Sequence, residues 1–218
     1  MSQKDIVQKT AEYIKGKFEN EGSGHDWWHI YRVWQLAKRI AKTEKGVDMQ
    51  IVELGALLHD IADFKFHGGD LTAGPKAAKQ VLQKFNAPSD AIEQVCHIVE
   101  HVSFKGADQA NSMQSLEGKI VQDADRLDAI GAIGLARLFT YAGYKGNAIH
   151  DPRVKVRTFK DHKEYVNYHT TAINHFYEKL LLLKDRMNTK TGKKMATHRH
   201  KIMEDYLKEF YAEWDGKL

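Results

Sequence analysis

Apolar residues recur at spacings of three and four along most of the chain, and the interruptions of that pattern divide it into helices. Ile6, Val7, Ala11, Ile14 and Phe18 form a first stripe, which Ser2 can cap and which ends near Asn20. Glu21-Gly22-Ser23-Gly24 reads as a turn, after which Asp26 caps a second helix carrying Trp27, Ile30, Val33, Trp34, Ala37 and Ile40. A third helix starts at Asp48 and runs through Ile51, Val52, Leu54, Leu57 and Leu58 to His59-Asp60, closing at Ile61-Ala62-Asp63. Gly68-Gly69 breaks the pattern, and Ala77 to Phe85 and Ser89 to His101 then predict two helices around Asn86-Ala87-Pro88. A polar stretch from Gly106 to Asn111 follows.

Further on, Leu116 to Tyr141 predicts a helix in two pieces that join near Gly131 and Gly134, and Gly143 to Lys155 predicts a loop containing His150-Asp151-Pro152. From Glu164 to Trp214 the pattern is helical again, with a break expected around Asn188 to Gly192. Internal repeats, low-complexity tracts and alternating strand runs are missing. The chain has only 3 prolines, which favours long helices over many short strands. The predicted class is therefore all-α, a single domain over 1–218 whose helical C-terminal part, about 160–218, packs on the rest.

Composition narrows the function. With 33 Lys plus Arg against 29 Asp plus Glu, the formal charge of +4 is far short of a dedicated nucleic-acid binder. The single cysteine, Cys96, excludes an internal disulfide framework and a multi-cysteine zinc site, and fits a reducing cytosol. The opening MSQKDIVQKT lacks the basic and apolar regions of a signal peptide, and no stretch approaches a membrane span. A cytoplasmic protein without membrane partners is expected. The 12 histidines justify a search for a metal site.

His-Asp dipeptides occur at His25-Asp26, His59-Asp60 and His150-Asp151. Asp26 is explained as a cap, and His150-Asp151-Pro152 as a turn. His59-Asp60 is different, because it follows Ala56-Leu57-Leu58 in an apolar helix, where two ionisable side chains cost several kcal/mol unless paired or metal-bound. The segment Asp123-Ala124-Asp125-Arg126-Leu127-Asp128 crowds three carboxylates into six residues. Asp125 lies four residues after Val121, on the apolar side, and Asp128 continues that stripe.

His29 in His29-Ile30-Tyr31-Arg32-Val33, then His59-Asp60, then Asp125 in Ala124-Asp125-Arg126-Leu127 resembles the H…HD…D signature of the HD-domain metal-dependent phosphohydrolases. Gly24-His25-Asp26-Trp27-Trp28-His29, the run from Asp123 to Gly134, and His175-Phe176-Tyr177-Glu178-Lys179-Leu180 extend the likeness to small stand-alone bacterial HD hydrolases. Some of these are nucleoside triphosphate pyrophosphohydrolases. The resemblance covers nearly the whole chain. It implies an all-helical fold in which His29, His59, Asp60 and Asp125 hold one divalent metal. A mixed set of imidazoles and carboxylates suits Mn²⁺ foremost, with Mg²⁺, Co²⁺, Fe²⁺, Ni²⁺ or Zn²⁺ as other occupants. Such an ion lowers the pKa of its water and polarises a phosphoryl group.

The same resemblance gives Asp63 the role of general base, since related hydrolases place an acidic residue near the attacking water. Phe64 after Asp63 departs from the Glu-Asp pair of alarmone hydrolases, which weakens the case for that substrate. His101 is expected to line the phosphate pocket as donor or leaving-group acid, and Lys65, His67 and Arg126 to neutralise phosphate charge. His97-Ile98-Val99-Glu100-His101 also matches the H-x-x-E-H of inverted zinc peptidases, but that fold needs a third ligand and a larger α/β frame. Trp27, Trp28 and Trp34 are read as core, and the basic run from Lys190 to Lys201 as a solvated helix face. The expected activity is hydrolysis of a nucleoside triphosphate to the monophosphate and pyrophosphate. A nucleotide phosphomonoesterase and a non-catalytic metal-bound interaction domain are the alternatives, and the expected partner is a nucleotide or another phosphorylated small molecule.

Overall fold

The computed structural model of the chain describes residues 3–19, 21–22, 24–62, 72–103, 112–157 and 170–218. Every regular element among them is helical, as the periodicity predicts, and none is long and apolar enough to cross a membrane. In chain order they are α1 (Gln3–Phe18), α2 (Trp27–Ala41), α3 (Met49–Leu58), α4 (Ala73–Lys84), α5 (Ser89–His101), α6 (Leu116–Asp128), α7 (Gly131–Lys145), α8 (Ala172–Glu178) and α9 (Lys190–Trp214). Short 3-10 turns at Leu180–Leu182 and Lys184–Arg186 connect α8 to α9.

The boundaries that differ from expectation have local causes. Helix α4 starts at Ala73 rather than Ala77, because Pro75 falls in the first turn, where a missing N–H breaks no intrahelical bond. Helix α7 continues through Gly143 to Lys145 and stops at Gly146. The break expected around Asn188 to Gly192 is present but ends sooner, covering residues 187–189, since the Thr189 side chain accepts from the Gly192 N–H at 2.9 Å and caps α9 from Lys190. His59 and Asp60 stand in the turn past the end of α3, with His59 as its C-cap, rather than inside the helix.

The described residues group into two compact units, and the division falls within α6, after Asp125. In the first unit α3 is the central element, packed against α1, α2 and α5, while α4 lies against α5 and α1. Its side chains Ile51, Leu54, Leu57 and Leu58 are fully or almost fully buried with Ile30, Val33 and Ile98. Burial on this scale contributes about 1.5–3 kcal/mol for each large aliphatic side chain. Gly55 lets this packing close: a Cβ there would meet Ile98 side-chain atoms of α5 at 3.2 Å and the Val121 methyl of α6 at 3.4 Å. In the second unit α7 packs on α9 and α8, and Phe176 stacks on Tyr206 with ring centroids 5.9 Å apart. Asp128 is paired there with Arg137 at 3.3 Å.

Candidate metal centre

The first unit brings the ends of three helices to one point. Helix α2 begins where the chain turns at Gly24, whose φ of 89° lies in the left-handed region that glycine reaches without a steric penalty. Asp26 then caps the helix by accepting from the His29 N–H at 2.9 Å, which fixes the first turn and with it the His29 ring. Helix α3 begins under an equivalent cap, Asp48, which accepts from Gln50 N and Ile51 N. At its far end the His59 Nδ1–H donates to the Ala56 carbonyl at 2.8 Å. A carbonyl can only accept, so Nδ1 carries a proton and Nε2 is the ring atom left to face the other donors. Lys17 of α1 donates its ammonium to the Ile61 carbonyl at 2.8 Å and so ties down the turn that follows. Burial lowers the pKa of that ammonium.

Helix α6 supplies the last group. Val121 and Ala124 are fully buried and set its inward face. Gln122 donates from Nε2 to the His101 carbonyl at 3.2 Å, which ties α6 to the end of α5. Of the three carboxylates crowded on this helix, Asp123 and Asp128 are buried, and Asp125 is the half-exposed one.

The donor atoms converge. His29 Nε2 and His59 Nε2 face each other at 3.1 Å, and Asp60 Oδ2 lies 3.3 Å from the first and 3.5 Å from the second. Asp125 Oδ1 lies 3.7 Å from both nitrogens. Adjacent ligands on one ion, each about 2.1 Å from it, stand about 3 Å apart, so these spacings fit a shared divalent cation. Both rings are buried, at 0 % and 4 % exposure, and two imidazole nitrogens directed at each other between two carboxylates form a donor set without apolar purpose.

Burial opposes ionisation of Asp60, but the charge of His59 and hydrogen bonds from His25 and His29 outweigh it. They hold the carboxyl well below the usual carboxylate range. A carboxylate that stays ionised is the form that binds a cation.

All four residues of the H…HD…D pattern are therefore brought together. A fifth joins them that the sequence reading treated as a mere neighbour of a helix cap. His25 Nδ1 lies 2.8 Å from Asp60 Oδ2, and His25, His29 and Asp60 form a second possible ligand group sharing atoms with the first. The signal was the spacing of His25 and His29, four residues apart across the start of α2. Other expected site residues are not gathered in this way. Arg126 is buried in the second unit, where its guanidinium donates to the Arg186 carbonyl. His101 stands at the end of α5 with His97 and Glu100. Asp63, Lys65 and His67 lie outside the described residues. Trp27 is buried and Trp34 donates to Glu53 at 2.8 Å, but Trp28, read as core, is 60 % exposed, because it lies off the inward stripe of residues 27, 30, 33 and 37.

Comparison with known proteins bears directly on this centre. The HD domain model matches residues 27–130, a span that includes His29, His59, Asp60 and Asp125. The Bacillus subtilis protein YpgQ is 35% identical over 211 residues, 96% of this chain and 94% of YpgQ. The crystal structure of YpgQ in complex with ADP is similar with a TM-score of 0.71 and 32% identity, covering 95% of this chain and 97% of that one. A crystal structure from Lactobacillus plantarum is similar with a TM-score of 0.87 and 37% identity, covering 99% of this chain and 100% of that one. An HD-superfamily hydrolase from Bacillus thuringiensis is similar with a TM-score of 0.73 and 38% identity, covering 98% and 99% of the two chains. With such identity along nearly its whole length, and with His29, His59, Asp60 and Asp125 converging in three dimensions, the chain belongs to the HD-domain family and stands among the HD-superfamily hydrolases.

Proposed function

We propose that this chain is a divalent-metal-dependent phosphohydrolase that acts on nucleotides, cleaving nucleoside triphosphates to the monophosphate and pyrophosphate. The observation that carries the metal-dependent part is the meeting of His29, His59, Asp60 and Asp125 at 3.1 to 3.7 Å. Support for a nucleotide comes from YpgQ, whose crystal structure holds ADP. Support for triphosphate cleavage comes from the likeness of the flanking sequences to the small bacterial HD hydrolases.

Held by these four residues, a divalent cation, Mn²⁺ foremost, would supply a Lewis acid for phosphoryl oxygens and a water of lowered pKa. The protein's part is to hold the ligands still. The Nδ1 bond to Ala56 keeps the His59 ring in one tautomer, the Asp26 cap sets the turn that carries His29, and His25 holds the Asp60 carboxylate. In this proposal Asp63 takes the proton of the attacking water, and Lys65 and His67 neutralise phosphate charge. Arg126 keeps its positive charge, but part of its guanidinium is committed to the Arg186 carbonyl. His101 is left outside the assignment, because its ring belongs with His97 and Glu100.

A panel of nucleoside tri-, di- and monophosphates assayed with Mn²⁺, Mg²⁺, Co²⁺ and chelator tests the reading. The expected result is metal-dependent release of pyrophosphate from triphosphates, abolished by chelator. Release of orthophosphate from monophosphates alone would establish the phosphomonoesterase instead, and metal binding without turnover on any nucleotide would establish an interaction domain.

A further inference from the structure

Helix α5 carries a group of possible metal ligands that shares no residue with the HD centre. His97, Glu100 and His101 lie at positions i, i+3 and i+4, so they share one face of the helix, and one donor atom of each lies within 4.8 Å of the other two. The two imidazoles meet edge to face, with centroids 4.3 Å apart and planes at 83°. Both histidines are half-buried and Glu100 is exposed, so the rings are sheltered while the carboxylate keeps access to solvent. These residues fill the last turn of α5, where the negative end of the helix dipole favours a cation. The turn is held from outside by Gln122, which donates to the carbonyls of His101 and Val102 at 3.2 and 3.5 Å.

We propose that His97, Glu100 and His101 form a second cation site, which takes a divalent ion of the borderline class, Zn²⁺, Co²⁺ or Ni²⁺. Two imidazoles and one carboxylate match the nitrogen and oxygen preference of these ions, and three protein ligands leave coordination positions for water or an anionic ligand. The site differs in kind from the HD centre. All its ligands come from a single helix turn and one of them is exposed, so its occupant exchanges more readily than an ion enclosed by His29, His59, Asp60 and Asp125. The proposal does not depend on the nucleotide reading, since it concerns only binding by α5.

Titration of the full-length chain, stripped with chelator, with Co²⁺ followed by visible absorption and with Zn²⁺ followed by calorimetry tests it. Two cations per chain are expected for the unchanged protein. His97→Ala and, separately, Glu100→Gln should each weaken the looser of the two at least tenfold and leave the tighter one, with helicity by circular dichroism as the check on folding. Asp60→Ala should lose the tighter cation and keep the looser. A protein that binds a single cation, lost in Asp60→Ala, overturns the second site and leaves the HD centre standing. Two cations bound unchanged in both α5 variants overturn it as well. Retention of both cations by Asp60→Ala would instead count against the HD centre, so the two failures are distinct.

Discussion

His25 Nδ1 lies 2.8 Å from Asp60 Oδ2, closer than the Nε2 atoms of His29 at 3.3 Å and His59 at 3.5 Å. The carboxylate oxygen that faces both inner histidines is thus also anchored from the turn that leads into α2. Groups that orient a metal ligand in this way alter affinity without touching the ion, by about 10–100-fold when removed. His25→Ala is therefore expected to weaken cation binding at the HD centre about tenfold and to reduce turnover at limiting metal, with partial recovery at saturating Mn²⁺. Competition with a fluorescent chelator measures the affinity, and an unchanged value would reduce His25 to a bystander.

Removing the shared carboxylate goes further. Asp60 is the point where His25, His29 and His59 meet, its Oδ2 lying 2.8, 3.3 and 3.5 Å from their ring nitrogens. Asp60→Ala should bring the tightly held metal to background in elemental analysis of the purified protein. Helicity should persist, because α2 and α3 are held by the Asp26 and Asp48 caps and by the apolar packing around Leu54 and Leu57. A variant that keeps stoichiometric metal at this centre would sink the assignment.

How much of this was legible in the sequence depends on the range of the interaction. Helix identity is local: Asp26 and Asp48 as caps, and the stripes from Ile6 to Ile14 and from Trp27 to Ile40, need only neighbours three and four residues away. The quartet His29, His59, Asp60 and Asp125 was visible as a pattern of residue types, but its 3.1 to 3.7 Å meeting depends on how α2, α3 and α6 pack. His25 was missed because its partner is 35 residues away, and because a histidine beside an N-cap aspartate looks complete on local grounds. Arg126 is a similar case: its expected part in phosphate binding rests on its place beside Asp125 in the sequence, and the contact of its guanidinium with the Arg186 carbonyl, 60 residues on, has no local signal. Glu178 was read only as part of a flanking motif, and burial gives it a character no local pattern contains.

That burial has a pH signature. Glu178 is 4 % exposed, and burial raises its pKa above the ordinary 4.5, although its Oε1 accepts from the Thr170 hydroxyl at 3.0 Å and the Arg157 N–H at 3.4 Å. Because the folded value lies above the unfolded one, the protonated acid favours folding below the unfolded value. That contribution is lost as pH rises through the folded value. Glu178→Gln removes the titration. Its melting temperature relative to the unchanged protein should therefore improve steadily as pH rises above about 4.5, and level off once the native carboxyl is fully ionised. Thermal melts between pH 4 and pH 8 check this, and a difference independent of pH would contradict it.

The bond that breaks is the sharpest test of the proposed activity. His29, His59, Asp60 and Asp125 form one compact donor set, so in the proposed reaction the phosphorus attacked is the one whose oxygen would reach an ion held there. The remaining phosphates must then find cations elsewhere, and Lys65 and His67, close in sequence to His59-Asp60, are our candidates for a departing pyrophosphate. Attack is therefore expected at the α-phosphorus of a nucleoside triphosphate. Turnover in ¹⁸O-labelled water should place the label in the nucleoside monophosphate and release unlabelled pyrophosphate, as read by mass spectrometry. Lys65→Ala and His67→Ala should each raise KM for the triphosphate more than they lower kcat. Label in orthophosphate with a diphosphate co-product would refute attack at the α-phosphorus. Free nucleoside released from a monophosphate would assign the same metal centre to phosphomonoester cleavage instead.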